Sequence, residues 1–256
     1  MKTWSTGLAV LLALMLSACG YKLGYRHLSG PIKPVEDLDR SADFAVGDDG
    51  SITFVKDRLE VSLLPMSVDM LNRSLPSNST TPEGFHRPNP YVEAKNPYTY
   101  GDWKPGWEEE KPERFTVFLL RVKNYQYPKV LLYPYSTEIT APNGRRYQAF
   151  SQAALAEYYA PYAVGYAGNT FHPSRERLDA LNRTLYPEEE MVFSGQETEG
   201  NLVFYTLDHD VEDFTVQIKG MVLRFDYRGQ PIETIDITYR FTRDVYLARK
   251  PRTEEQ

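Results

Sequence analysis

The sequence predicts a mainly β body: a two-sheet β-sandwich carrying a small helical insertion. Three observations lead there. Nineteen Tyr and twelve Phe favour a pleated, half-buried surface over helix. Runs of alternating apolar residues recur along the chain, most clearly beyond residue 200. Turn signals such as Pro142-Asn143-Gly144 and Arg228-Gly229-Gln230 separate those runs.

The elements follow in order. Residues 52–64 read as a strand, and Ser67 caps a short helix ending near Leu71. Residues 115–122 are apolar at successive positions, the mark of a central strand covered on both faces. Residues 130–140 follow as its neighbour, and the Asn143-Gly144 turn returns the chain through a strand over 147–150. Residues 151–187 change character and form the insertion. Helices are expected over 152–159 and over 174–185, the second with Ser174 as N-cap and Leu178, Leu181 and Leu185 on one face. A loop over 160–172 joins them. A short apolar strand over 202–207 comes next.

Phe214, Val216 and Ile218 then share one phase, whereas Met221, Leu223, Phe225 and Tyr227 share the other. A one-residue slip turns every following side chain to the opposite face, so a β-bulge is expected at Gly220. Ile235, Ile237, Tyr239 and Phe241 line a last strand ending near Leu247. The body thus spans residues 51–247, with a charged tail over 248–256.

The N-terminus carries an address. Lys2 precedes an unbroken apolar run from Gly7 to Leu16, and small Ser17 and Ala18 lead to Cys19. Ten apolar residues cover about half of a ~30 Å hydrocarbon core, which suits a secretory signal over 1–18 and not a spanning helix. Leu16-Ser17-Ala18-Cys19 resembles the lipobox of bacterial lipoproteins. The resemblance implies diacylglyceryl transfer to the Cys19 sulfur, cleavage before it, and a further palmitate-type acyl chain on the new amino group. Gly20 in place of Asp implies the outer membrane, facing the periplasm, in a host with two membranes. Cys19 is the only cysteine, and a thioether there leaves no stray thiol in an oxidising compartment. Two or more acyl chains hold stably, at about 0.8 kcal/mol per buried methylene. Residues 19–50, broken by Gly and Pro, read as the lipidated start and a tether averaging roughly 30 Å.

Six to eight short strands with one helical insertion match an immunoglobulin-like β-sandwich. The order of elements over 52–247 resembles that of small extracytoplasmic lipoproteins with immunoglobulin-like domains. The function of many of those is unknown; a non-enzymatic protein-binding or scaffold role is expected here from the anchor, the sandwich pattern and the lack of catalytic residues. The net charge of −6 becomes −7 once Lys2 leaves with the signal. With no Lys/Arg-rich stripe in the sequence, nucleic acid is excluded as a partner.

Catalytic signatures are missing: no Gly-x-Ser-x-Gly elbow, no phosphate-cradling glycine loop and no His-Glu-x-x-His. The histidines are His27, His86, His172 and His209. Asp208-His209-Asp210 offers three metal-ligating types in a row. In an extended segment, however, the two carboxylates point away from the histidine, and a polar turn between Leu207 and Val211 explains the triplet. His172, Ser174 and Asp179 lack a strained serine and an oxyanion donor set. No catalytic residue, no metal and no cofactor beyond the lipid on Cys19 is therefore expected.

The most unusual stretch is 85–112. Asn89-Pro90-Tyr91 recurs as Asn96-Pro97-Tyr98, and Tyr100, Trp103 and Trp107 follow. Proline forbids helix here and leaves a long loop. Tyr91, Tyr98, Tyr100, Trp103 and Trp107 form a candidate recognition surface, for an envelope protein or alternatively for peptidoglycan or a surface glycan. The competing expectation is that they pack over an open end of the sandwich. A second group, Tyr158, Tyr159, Tyr162 and Tyr166, favours recognition if both meet on one surface.

Overall fold

A computed structural model describes residues 25–35, 43–80, 95–104, 111–164 and 171–249. Residues 1–18, Cys19, His86, Tyr91, Tyr166, Trp107 and the tail beyond 249 lie outside the described residues, as do the side chains of His27, Tyr162, His172 and Ser174. Within the described residues the chain is mainly β, and its strand pairings are antiparallel.

One sheet is largely a meander. β3 (Phe44–Val46), β4 (Ile52–Lys56), β5 (Leu59–Met66) and β6 (Phe115–Asn124) lie side by side in chain order, and β11 (Gln196–Tyr205) closes the far edge. The single strand expected over 52–64 is therefore a hairpin. Asp57 and Arg58 turn it with φ of 51° and 73°, the mirror-image geometry that suits strand twist. Asp tolerates that region of backbone space, whereas Arg rarely enters it. Without a glycine the turn left no mark in the sequence.

The second sheet runs β10 (Met191–Phe193), β7 (Lys129–Leu131), β12 (Asp213–Phe225), β13 (Pro231–Thr242) and β2 (Lys33–Pro34), with the hairpin of β8 (Glu138–Thr140) and β9 (Arg146–Gln148) also on β12. Residues 130–140 are thus not a neighbour of β6. Pro134 breaks them into β7, a 3₁₀ turn over Pro134–Ser136, and β8, and both strands pair with β12. Asn124 directs the crossing between sheets. Its buried amide donates to the carbonyls of Tyr127 (2.8 Å) and Val192 (2.9 Å), and its oxygen accepts from the Tyr127 N–H (2.9 Å).

The Asn143-Gly144 turn joins β8 and β9 as expected. The bulge expected at Gly220 is present between β12 and β13: Ile218 faces Ile237, but Met221 faces Ile235, one residue extra on β12. Gly220 sits at φ +65°, and its N–H donates to the Asp236 carboxylate (2.7 Å).

Two expectations at the chain ends are corrected. The last strand does not run to Leu247; β13 stops at Thr242. The Arg243 side chain turns inward, donating to the carbonyls of Val211 (2.7 Å) and Leu207 (3.3 Å). The chain then leaves as β14 (Val245–Arg249), paired with β1 (Tyr25–Ser29) in a separate two-stranded ribbon. Within the span expected as a tether, Lys33–Pro34 and Phe44–Val46 are strands of the two sheets.

The two sheets share one apolar core. Phe118 meets Phe241 at 5.1 Å between ring centres, and the Tyr239 hydroxyl donates across the layers to the Val61 carbonyl (2.8 Å). The outer face of the meander sheet is graded. Arg121 pairs with Glu197 (3.2 Å) and Glu199 (2.8 Å) at one end. At the other end Phe115, Val117 and Val203 are buried under helices.

Those helices are α1 (Val68–Ser74), α2 (Pro76–Ser79), α3 (Gln152–Val164) and α4 (Phe171–Thr184). Ser67 caps α1 as expected, accepting from the Met70 N–H (3.3 Å). α3 continues through Pro161 to Val164, and α4 begins three residues before Ser174. Ser174 is therefore not an N-cap, and of the loop expected over 160–172 residues 160–164 and 171–172 are helical, while 165–170 lie outside the described residues. Pro173 falls in the first turn of α4, where the missing N–H costs no hydrogen bond. No helix among the described residues is long and apolar enough to cross a membrane.

Candidate functional site

The aromatic residues singled out in the sequence scatter once placed. Tyr98 is 0 % exposed, and its hydroxyl hydrogen-bonds with Thr184 Oγ1 (2.5 Å). It belongs to the interior and offers no surface for recognition. Asn96 holds it there: its side-chain oxygen accepts from the Tyr98 N–H (2.9 Å), and its amide donates to Ser79 Oγ (2.8 Å). Thr99 Oγ1 donates to Asn72 (2.6 Å), and Asn72 donates to the Gly101 carbonyl (2.9 Å). Asn96-Pro97-Tyr98 is thus a polar-lined anchor that ties 95–104 to α1 and α2.

Tyr100 and Trp103 are half-buried and meet edge to face at 6.2 Å. The two aromatic groups do come together, and the meeting point is Arg114. Its buried guanidinium stands 5.0 Å from the Tyr100 ring, 5.8 Å from Tyr158 and 4.8 Å from Tyr159, distances of cation–π attraction. The Tyr159 hydroxyl donates to the Pro97 carbonyl. This cluster fastens α3 to the 95–104 segment beneath the surface.

Asp208-His209-Asp210 forms the expected polar turn, with the Val211 N–H on the Asp208 carbonyl (3.0 Å). The turn swings both carboxylates onto one cation instead of apart. Arg145 reaches Asp210 (2.5 Å) and Asp208 (3.1 Å), and the Tyr147 hydroxyl donates to Asp208 (2.8 Å). The Asp210 carboxylate, foremost, raises the Arg145 pKa further. Among the described residues no three His, Cys, Asp or Glu gather to hold a metal ion.

A different site appears where three turns meet: the β4–β5 turn, the loop after β6 and the β12–β13 hairpin line a cleft of about 450 Å³. Leu223, Phe225 and Ile232 supply apolar walls, with Asp57, Tyr127 and Lys129 among the remaining lining. The Tyr127 hydroxyl donates to Asp57 (3.1 Å). Burial, and then that carboxylate, push the Tyr127 pKa up. Lys129 Nζ lies 4.4 Å from the Phe225 ring centre. Of the lining residues Ile232 is 66 % exposed, and Tyr227, next after Asp226 in the same hairpin, is 87 % exposed. The arrangement holds an apolar floor between a carboxylate and an ammonium, which suits binding of a mixed-charge chain segment.

Sequence reasoning missed this cleft because its residues come from turns up to 175 positions apart. The one available signal was apolar Tyr227 and Ile232 flanking a polar turn. No family model, curated protein or solved structure matches the chain.

Proposed function

We propose that the chain is an envelope lipoprotein, held in the outer membrane through acyl chains on Cys19, whose body binds another envelope protein without catalysing a reaction. The observation that carries the binding part is the pair Tyr227 and Ile232, exposed beside the cleft. The lipobox Leu16-Ser17-Ala18-Cys19 carries the anchor. We class the body with immunoglobulin-like sandwiches because two antiparallel sheets enclose one core. Its four-strand meander departs from the Greek-key order of that group. The group also requires sheets aligned to about 30°, so a near-perpendicular crossing in a crystal structure would exclude it.

A photo-crosslinking amino acid at Tyr227, introduced in living cells, tests the binding. One dominant crosslinked protein is expected, and Ile232→Asp should diminish it. A probe at 227 that captures nothing, in cells where the protein is abundant and acylated, would sink the protein-binding reading. The half-buried ring pair Tyr100 and Trp103 favours glycan binding as the second reading. It predicts a change in tryptophan fluorescence on adding peptidoglycan fragments, and a flat titration removes it.

A further inference from the structure

The edge of a sheet carries unpaired N–H and C=O groups that a further strand can join. Most edges here are short or already engaged. β3, β9 and β10 have three residues each, and β1 and β14 have five. β11 accepts the Tyr186 N–H (3.1 Å) at Asn201 and the Phe150 N–H (2.8 Å) at Val203. β13 differs. β12 pairs with it along its length, but on the other side β2 reaches only Phe241 and Thr242. The last bond there runs from the Val35 N–H to the Arg240 carbonyl (3.2 Å). Among the described residues, nothing pairs with the outer edge from Pro231 to Tyr239.

Arg240 fixes which groups are free. Its carbonyl points to β2, so the alternation of an antiparallel strand places the N–H and C=O of Thr234, Asp236 and Thr238 on the same open side. Native edges are guarded by free charge, proline or bulges. β13 has no proline after Pro231, and the extra residue at Gly220 is on β12. Its two carboxylates are engaged within the chain. Glu233 pairs with Arg224 (3.2 Å) and Lys56 (3.6 Å), and Asp236 accepts from the Gly220 N–H (2.7 Å). Ile232, Thr234, Ile235, Ile237 and Thr238 are β-branched, which favours a paired strand.

We propose that a second copy of the chain pairs with this edge, β13 against β13, antiparallel across a two-fold axis at Ile235. Ile235 is the midpoint of the open edge from Pro231 to Tyr239. That axis sets Ile235 against Ile235, Thr234 against Asp236 and Glu233 against Ile237, so no like charges face each other. An axis at Asp236 would oppose two carboxylates, and an axis at Ile237 would drive the second copy into β2. At Ile235, Thr234 and Asp236 exchange both backbone bonds, twice over by symmetry. Such a contact is self-complementary and closes both open edges at once, so it stops at two copies. The pairing needs neither the cleft nor the acyl anchor.

Ile235→Cys reads the register directly. Opposed residues of a pair that exchanges no backbone bonds lie about 4.5 Å apart between Cα atoms, within disulfide reach. Thr238 is three residues from the axis, so its two copies stand six residues apart along the ladder, about 20 Å. The full-length chain is oxidised with copper–phenanthroline in the cells that produce it. Mass spectrometry of the linked peptides separates a link at 235 from one through Cys19. The expected result is a 235–235 dimer from Ile235→Cys and little or none from Thr238→Cys. Added to Ile235→Cys, Thr234→Glu faces Asp236 of the second copy and should lower the dimer yield severalfold, whereas Thr234→Lys should keep or raise it. No 235–235 link, equal linking at 235 and 238, or a link from 235 to a different protein overturns the proposal. Sedimentation of the unaltered full-length chain in density-matched detergent guards against a misfolded variant. Two chains per particle are expected there, and a single chain overturns the dimer.

Discussion

Tyr186 and Tyr239 show how one hydroxyl can differ from another in the same core. Both are buried. Tyr239 donates to the Val61 carbonyl, whereas the Tyr186 hydroxyl finds no hydrogen-bond partner among the described residues. Burial pushes both pKa values up, with Glu190 adding to the effect at Tyr186. Unfolded tyrosine ionises near pH 10. A folded pKa above that value means stability is whole below pH 10 and drains away as pH rises beyond it. Tyr239→Phe should cost about 1 kcal/mol at pH 7 through its lost bond. Tyr186→Phe should be neutral or stabilising there, since no bond is lost and a polar atom leaves the core. Each should also flatten the alkaline limb of stability. Urea unfolding at neutral and alkaline pH measures this, and equal costs at pH 7 would contradict it.

Between elements, the contact that admits least change is β11 against the chain leaving α4. Leu185 bridges Asn201, the Tyr186 N–H donates to the Asn201 carbonyl (3.1 Å), and a Cβ on Gly200 would overlap the Tyr186 backbone. Backbone, unlike a side-chain end, cannot swing aside. Gly200→Ala should therefore cost about 3 kcal/mol or more. Gly144 in the β8–β9 turn has φ +84° and open space around it, so Gly144→Ala carries only backbone strain of about 1–2 kcal/mol. Thermal unfolding ranks the pair, and a Gly200→Ala protein as stable as Gly144→Ala would show that the close approach is not real. Nothing in Glu199-Gly200-Asn201 signals this role in the sequence. The requirement comes from a backbone fourteen residues earlier.

Across the whole molecule, protection should follow the layering. β6 lies between β5 and β11, with the shared core on one face and, at its Phe115 end, helices on the other. The β1–β14 ribbon pairs with nothing else. Amide exchange should be slowest in β6 and in the middle of β12, and fastest among the strands in the ribbon. A ribbon as protected as β6 would contradict this account of where the stability resides.

By itself the sequence determined the β character, the central position of residues 115–122, the Gly220 bulge, the Ser67 cap and the turn at Gly144. Each is written in local chemistry: alternation, a phase slip, a capping oxygen, a residue that accepts positive φ. The resemblance of Leu16-Ser17-Ala18-Cys19 to a lipobox, on which the proposed anchor rests, is likewise local and needs no fold. Tertiary structure decided which sheet 130–140 joins, because a single side chain, Asn124, directs that crossing. It decided that Tyr98 is a core residue, since Thr184, 86 positions away, receives its hydroxyl. It brought residues 25–29 to 245–249 and three turns around one cleft. Pairings across such distances leave no periodicity in the chain, because a strand carries the same alternation whichever partner it finds.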